Sequence, residues 1–254
     1  MTRSVRVAAV GDVHAGADRE SADRLNRGFA RLADQADVLL LAGDLTRCGD
    51  PAEVAVLAEV TARTGVPAVA VLGNHDLHAG REVEVSSTLL DAGVTVLEGG
   101  ACEVRVDGAR VGVAGAKGFG GGFAGACVSE FGEPETKAYA RHATEAAERL
   151  RQAMAEIDGA DVRIALTHYS PVRDTLRGEP PELYPFLGSY LLAEVIDAAG
   201  ANLAVHGHAH HGTERGTTPG GIRVRNVAQP VIGSAYRLYD LHPAGGRAAR
   251  APAR

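Results

Sequence analysis

A chain of 254 residues with 45% hydrophobic side chains can bury a sizeable core and fits one large domain. Its 26 Lys plus Arg against 32 Asp plus Glu leave a formal charge of −6, which excludes any general attraction to nucleic acid or an anionic membrane surface; phosphate recognition has to be local. No apolar run is long enough to span a bilayer, the chain enters a strand by Val5 without an apolar signal core, and Cys48, Cys102 and Cys127 form no CxxC pair, so a cytoplasmic protein with free thiols is expected.

In chain order, the apolar run Val5 to Val10 reads as a buried strand, and Gly11-Asp12-Val13-His14 follows it. Ser21 to Ala36 carries Leu25, Phe29 and Leu32 at spacings of four and three, which predicts an amphipathic helix. A second apolar run, Val38 to Ala42, ends in Gly43-Asp44. Asp50, Pro51 and Glu53 then supply an N-cap, a first-turn proline and an acid for a helix that Gly65 closes. A third run, Ala68 to Leu72, delivers Gly73-Asn74-His75-Asp76. This β-α-β-α-β opening predicts parallel strands with helices outside.

From about Val94 the pattern changes. Cys102 to Val106, the turn Asp107-Gly108 and Arg110 to Ala114 read as a hairpin. The stretch from Gly115 to Gly132 is glycine-rich around Phe119 and Phe123. No helix signal follows at the distance a dinucleotide fingerprint needs, so a mobile loop is expected, either an active-site lid or a surface loop whose rings anchor it in the core. Pro134 opens a long helix to about Ile157, with Ala143, Ala146, Leu150, Met154 and Ile157 on one side. Val162 to Thr167 is a strand ending in His168. Ser189 to Ala199 is a helix ended by Gly200, and Leu203 to Val205 leads into His206-Gly207-His208-Ala209-His210. Ile222 to Val227 and Tyr236 to Leu241 read as late strands with no helix between them. Residues 1–242 are thus expected to form a single domain, with residues 243–254 a flexible tail. The fold class is α/β: two mixed sheets packed face to face, each covered by helices on its outer side.

Five segments therefore place polar groups at the C-terminal ends of strands, where α/β sheets usually bind ligands. They supply Asp12, His14, Asp44, Asn74, His168, His208 and His210, too many donors for one tetrahedral zinc but suited to two metals sharing a bridging carboxylate. His206 and His211 fall outside that spacing and read as supporting or surface residues; His78, His142 and His242 read as solvated. Arg47 and Lys117 are candidates for contact with a substrate phosphate.

The order Asp-x-His, Gly-Asp, Gly-Asn-His-Asp, His, Gly-His-x-His, intact from Asp12 to His210, resembles the calcineurin-like metallophosphoesterase family. The resemblance implies a four-layer α-β-β-α sandwich of two mixed sheets flanked by helices. It makes Asp12, His14 and His210 ligands of one metal, Asn74, His168 and His208 ligands of the other, and Asp44 the bridge. His75 would face the substrate as the acid, with Asp76 behind it to hold its tautomer. Two divalent ions bring roughly +4, two carboxylates −2 and a bridging hydroxide −1, which leaves about +1 to attract phosphate. A metal-activated hydroxide would attack phosphorus while His75 protonates the leaving alkoxide. Mixed imidazole, carboxylate and amide ligands favour Mn, Fe or Zn over Mg or Ca.

The expected substrate is a small phosphorylated molecule, with nucleotides among the candidates and long nucleic acid disfavoured by the absent basic face. Gly43-Asp44-Leu45-Thr46 is similar to the cyclic-nucleotide phosphodiesterase branch of the family. No arginine cluster adjoins the motifs to hold a dianion bidentately, so a diester is expected to be cleaved faster than a monoester. The alternative is a non-catalytic scaffold on the same fold, which degenerate ligands would mark; none is missing here. Oligomeric state is not legible.

Overall fold

In the computed structural model, which describes residues 3–243, the apolar runs become strands β1 Val5–Val10, β2 Val38–Ala42, β3 Ala68–Val71, β4 Val94–Val96, β5 Gly100–Val106, β6 Ala109–Ala116, β7 Gly122–Phe123, β8 Ala126–Cys127, β9 Val162–Thr167, β10 Leu203–His206, β11 Arg215–Thr217, β12 Arg223–Asn226 and β13 Arg237–Leu241. The helices are α1 Arg19–Phe29, α2 Leu32–Gln35, α3 Pro51–Thr64, α4 Glu82–Asp91, α5 Pro134–Glu156, α6 Tyr184–Leu187, α7 Tyr190–Ala199 and α8 Gln229–Ile232. One sheet runs β13-β1-β2-β3-β4, parallel except for β13. The other runs β11-β12-β10-β9-β6-β5, with a parallel centre and antiparallel edges β11 and β5.

Alternation along the strands decides the layers. In β9, Val162, Ile164 and Leu166 point into the core between the sheets, while Ala165 joins the core beneath α5 and α7. β10 repeats the pattern, with Leu203 and Val205 inward and Ala204 outward, and β6 sets Val111 and Val113 against Ala114 and Ala116. Bulky branched residues thus fill the inter-sheet space, each contributing about 1.5–3 kcal/mol on full burial. The alanines on the outer face leave room for Leu150, Met154 and Ile157 from the α5 side and Leu192 and Ile196 from α7. On the other side, α1 packs on α3 and α3 on α4. The result is the expected mixed α/β architecture of two sheets flanked by helices.

Helix ends follow local chemistry. The Asp50 side chain accepts from Ala52 N at 2.9 Å with Pro51 in the first turn, and Gly65 closes α3 in the left-handed region at φ 66°. Ser189 and Gly200 bound α7 in the same way.

Three expectations change. The helix over Ser21 to Ala36 is two pieces: Asp18 caps α1 by accepting from Ser21 N at 2.7 Å, and a turn at Ala30 and Arg31 redirects the chain so that Leu32 reaches the core already holding Leu25 and Phe29. A one-turn helix, α8, separates the late strands and sends β13 back to pair with β1 in the other sheet. The glycine-rich stretch is not a free loop. Its start belongs to β6, β7 and β8 form a small hairpin, and Gly121 and Gly122 donate to Pro185 O at 2.7 Å and Gly188 O at 2.9 Å. Phe123 is buried against Leu176 and Ala209, whereas Phe119 is half-buried beside Tyr139 and Tyr169. The expected tail over residues 243–254 lies outside the described residues apart from its first position. Among the described residues, no helix is long and apolar enough to cross a membrane.

Candidate metal centre

Strands β1, β2 and β3 of one sheet and β9 and β10 of the other all end at the same edge, and backbone bonds lace their loops together. Asp12 N donates to Gly43 O at 2.9 Å, His14 N to Asp44 O at 3.0 Å, and Gly207 N to His168 O at 3.2 Å. A close approach at this edge requires glycine: a Cβ on Gly43 would stand 2.6 Å from the His168 ring, one on Gly73 would overlap the Asp44 carboxylate, and one on Gly207 the Asp12 carboxylate.

The donors converge on two groups that share one residue. Asp12, His14, Asp44 and His210 each offer a ligand atom within 4.8 Å of the others, and so do Asp44, His168 and His208. Asn74 completes the second group, its Oδ1 lying 3.0 Å from His168 Nε2. The backbone is strained at this place. Of the five non-glycine residues with positive φ among those described, four are donors: Asp12 at 56°, His14 at 45°, Asp44 at 49° and His208 at 70°.

Imidazole orientation is set from behind by main-chain oxygens. His168 Nδ1 donates to Ala42 O at 2.9 Å, His14 Nδ1 to Thr46 O at 3.2 Å and His75 Nδ1 to Arg47 O at 2.7 Å. Each Nε2 is left facing Asp44, at 3.3 Å for His168 and 4.0 Å for His14 and His75. His75 belongs to neither donor group, and its side chain is 41% exposed where that of His168 is fully covered.

Burial controls the charges. It pushes His168 and His208 down to about 3, which keeps both imidazoles neutral and able to offer a lone pair, and lowers His14 as well. The Asp12 carboxyl is pushed up to about 6 by burial, against the bond from His210 Nε2 at 2.8 Å, and that same bond raises His210. Among the described residues, neither Asp12 nor Asp44 has a Lys or Arg within ion-pair reach, although both are buried.

Asp76 corrects the expectation placed on it. It makes no bond to the His75 ring. Fully buried, it accepts from Leu45 N at 3.1 Å, Thr46 N at 2.8 Å, Thr46 Oγ1 at 2.6 Å and Gly73 N at 2.8 Å, which ties the Asp44 loop to the Asn74 loop. The tautomer of His75 is held instead by the Arg47 carbonyl. Of the two expectations for His206, supporting or surface, the structure excludes the surface one: the residue is buried and bonded to Gly207 O at 2.7 Å and Thr175 Oγ1 at 2.8 Å. His78 and His211 are exposed, as is His142, whose ring packs edge-on against Phe119. Arg47 pairs with Asp18 at 2.9 Å, and the half-buried Lys117 ammonium lies over the rings of Phe119 and Tyr169. The supporting carbonyls of Ala42, Thr46 and Arg47 had no signal in the sequence, since every residue type carries one. Thr46, two places after Asp44, could have been noticed as a short hydroxyl beside the motif.

Several solved structures share this architecture at low identity. A phosphopantetheinyl hydrolase from Mycobacterium tuberculosis aligns with TM-score 0.64 and 16% identity over 98% of this chain and 99% of its own. The protein TT1561 of Thermus thermophilus aligns with TM-score 0.57 and 17% identity over 95% and 100%. A putative 5′-nucleotidase from Staphylococcus aureus aligns with TM-score 0.58 and 15% identity over 97% of this chain and 56% of its own. These likenesses establish the fold. No curated protein sequence matches the chain. The profile of the calcineurin-like phosphoesterases does match, over residues 5–212, a span that takes in every strand-end motif, and the chain belongs to that family.

Proposed function

We propose that the chain is a two-metal phosphoesterase that cleaves a small phosphodiester in preference to a monoester. Asp12, His14 and His210 hold one ion, Asn74, His168 and His208 the other, Asp44 is shared by both, and residues 1–242 act as one domain. One observation carries this reading. His168 uses its Nδ1 proton on Ala42 O, so its Nε2 lone pair faces two acceptor oxygens, Asn74 Oδ1 at 3.0 Å and Asp44 Oδ1 at 3.3 Å, with no proton between it and either, although Asp44 Oδ1 also accepts from His75 N at 2.9 Å. Burial keeps His168 from protonating, and a cation is what satisfies such a cluster. The donor set suits Mn, Fe or Zn. When bound, two such ions supply Lewis acidity and lower the pKa of water at the site.

The chain's own residues do the rest. Asp44 and Asp12, both buried, balance cationic charge at this edge of the sheets. His75 stands at the open side with Nε2 free and Nδ1–H on Arg47 O, so it can carry a proton at Nε2 and deliver it to a leaving oxygen while the carbonyl steadies the imidazolium. Arg47 Nη1 pairs with Asp18 at 2.9 Å, and the sequence sets no arginine cluster beside the motifs to grip a dianion bidentately, which favours the diester. All seven residues of the family's motifs are present in the sequence, which disfavours a non-catalytic scaffold. Three free thiols, with Cys48 and Cys127 exposed, suit a reducing, cytoplasmic compartment.

The test is a panel of bis(p-nitrophenyl) phosphate, p-nitrophenyl phosphate and cyclic nucleotides, assayed after chelation and again with Mn. Activity should vanish with chelator, return with metal and be higher on the diester. Faster monoester cleavage would reverse the substrate preference, and turnover undiminished by exhaustive chelation would end the two-metal reading.

A further inference from the structure

Beside the metal centre, a groove of about 570 Å³ opens between the β7–β8 hairpin, the first turns of α5 and the α6 segment, with Val128, Tyr139, Pro185 and Phe186 among its walls. It adjoins the centre through its wall: Phe186 O lies 3.4 Å from Nε2 of the donor His208, although none of the donors lines the groove itself. Phe186 is 58% exposed. A lone exposed phenylalanine is ordinary, but the backbone under this one is fixed. Both Tyr139 Oη, at 3.2 Å, and Gly121 N, at 2.7 Å, donate to Pro185 O, one residue before it. The Tyr139 ring meets Phe186 edge-on, 6.3 Å between centroids at 79°, so it supports the ring without covering both faces. A side chain so held loses little freedom when a flat group lies against it. Charge narrows the occupant further: among the described residues the one carboxylate on the walls is Glu135 and no Lys or Arg lines them, so a second anionic group is disfavoured.

We infer that this groove is the subsite for the organic part of the substrate, and that it takes an uncharged planar, aromatic group stacked on Phe186 while the phosphoryl group sits at the metals. The inference rests on the phosphoesterase reading. It makes Phe186 the chief determinant of leaving-group or ester-group preference. The glycine-rich stretch then serves as the groove's wall: Gly120 lies so close to Tyr139 and Pro185 that a side chain there would displace the wall that holds Phe186.

Calorimetric titration of the Mn-loaded protein with phenylphosphonate, methylphosphonate and inorganic phosphate separates the two readings without turnover. Phenylphosphonate is expected to bind at least about 10-fold more tightly than methylphosphonate, a difference of about 1.4 kcal/mol. In Phe186→Ala the ratio should fall below about 3-fold with the methylphosphonate Kd unchanged. Phe186→Trp should keep the ratio, and Phe131→Ala, which alters an exposed ring outside the groove, should leave it as in the wild type. A wild-type ratio near one, or a ratio that survives Phe186→Ala, overturns the subsite while phosphate binding and diester cleavage still uphold the phosphoesterase reading. Failure of all three anions to bind, together with no diester cleavage, overturns both.

Discussion

Asp44 is the residue on which both donor groups depend, and Asp44→Asn separates its role in holding metal from any role in holding the fold. The substitution keeps an acceptor for His75 N, now 2.9 Å from Oδ1, and removes a buried charge that has no Lys or Arg partner among the described residues. The metal-free variant should therefore be as stable as the wild type or up to a few kcal/mol more stable, since an unpaired buried carboxylate is costly. Metal binding moves the other way. Even partners outside the coordination shell change affinity by about 10- to 100-fold, so loss of a shared ligand should weaken each site by roughly 10²-fold or more. At a metal concentration about 1,000 times the wild-type Kd, each site adds about 4 kcal/mol; a 10²-fold weaker site adds about 1.4 kcal/mol. At roughly 2–4 °C per kcal/mol for a chain of this size, the metal-induced rise in Tm per site should shrink from about 8–16 °C to about 3–6 °C. Differential scanning calorimetry with and without Mn, beside elemental analysis, reads both quantities. A metal-free Tm that drops by 10 °C or more while two ions per chain are retained would refute the reasoning, because Asp44 would then be a structural pillar and not the shared ligand.

His75→Ala should lower kcat on the diester by about 10² or more with metal content unchanged, within the usual contribution of a positioned acid; an emptied metal site in that variant would make His75 a ligand. Burial pushes His206 from 6.5 down to about 3, so below 6.5 the unfolded chain binds the extra proton and stability falls as pH drops from about 6.5 toward 3. Urea melts of metal-free protein should accordingly show a slope shallower by about 1.4 kcal/mol per pH unit in His206→Gln than in the wild type, and equal slopes would show that His206 protonates freely in the fold. Phe123→Ala should cost roughly 3–5 kcal/mol and lower Tm by about 6–20 °C, because the ring is only 6% exposed against Leu176 and Ala209; a Tm within 2 °C of wild type would return Phe123 to the role of a lid.

The seven donors were legible because each follows an apolar run, and the end of a buried strand is a place where polarity has to be explained. The shared role of Asp44 came from the family resemblance, and the two overlapping donor groups give it a spatial basis. Asp76 was misread because adjacency in sequence is not adjacency in space. His75 and Asp76 lie in a 3₁₀ turn, where three residues complete a turn and neighbours diverge by about 120°, so the imidazole turns outward as the carboxylate turns in. Helix α4 escaped notice for a different reason: Arg81 at its start makes no side-chain cap, and only Val85 and Leu89 are buried. The glycine-rich stretch resisted reading because its order comes from donors aimed at Pro185 and Gly188, some sixty residues away, and a local pattern carries no trace of such partners.

The strain at the donors explains why Asp76 matters more than its silent place in the motif suggests. Positive φ at Asp12, His14, Asp44 and His208 costs on the order of 1–3 kcal/mol each, and such conformations persist only where the surroundings over-determine them. Two of those four residues, His14 and Asp44, lie in loops joined by His14 N to Asp44 O and Ala15 N to Leu45 O. The Asp44 loop is in turn fixed by the Asp76 carboxylate through Leu45 N, Thr46 N and Thr46 Oγ1, while Gly73 N gives the same carboxylate its hold on the Asn74 loop. One buried side chain therefore sets the spacing between the shared carboxylate and the amide of the second group. Burial raises its pKa and four donors oppose that rise. Asp76 therefore acts on the site through the loops it fixes, and His75, the acid of the proposed mechanism, turns away from it.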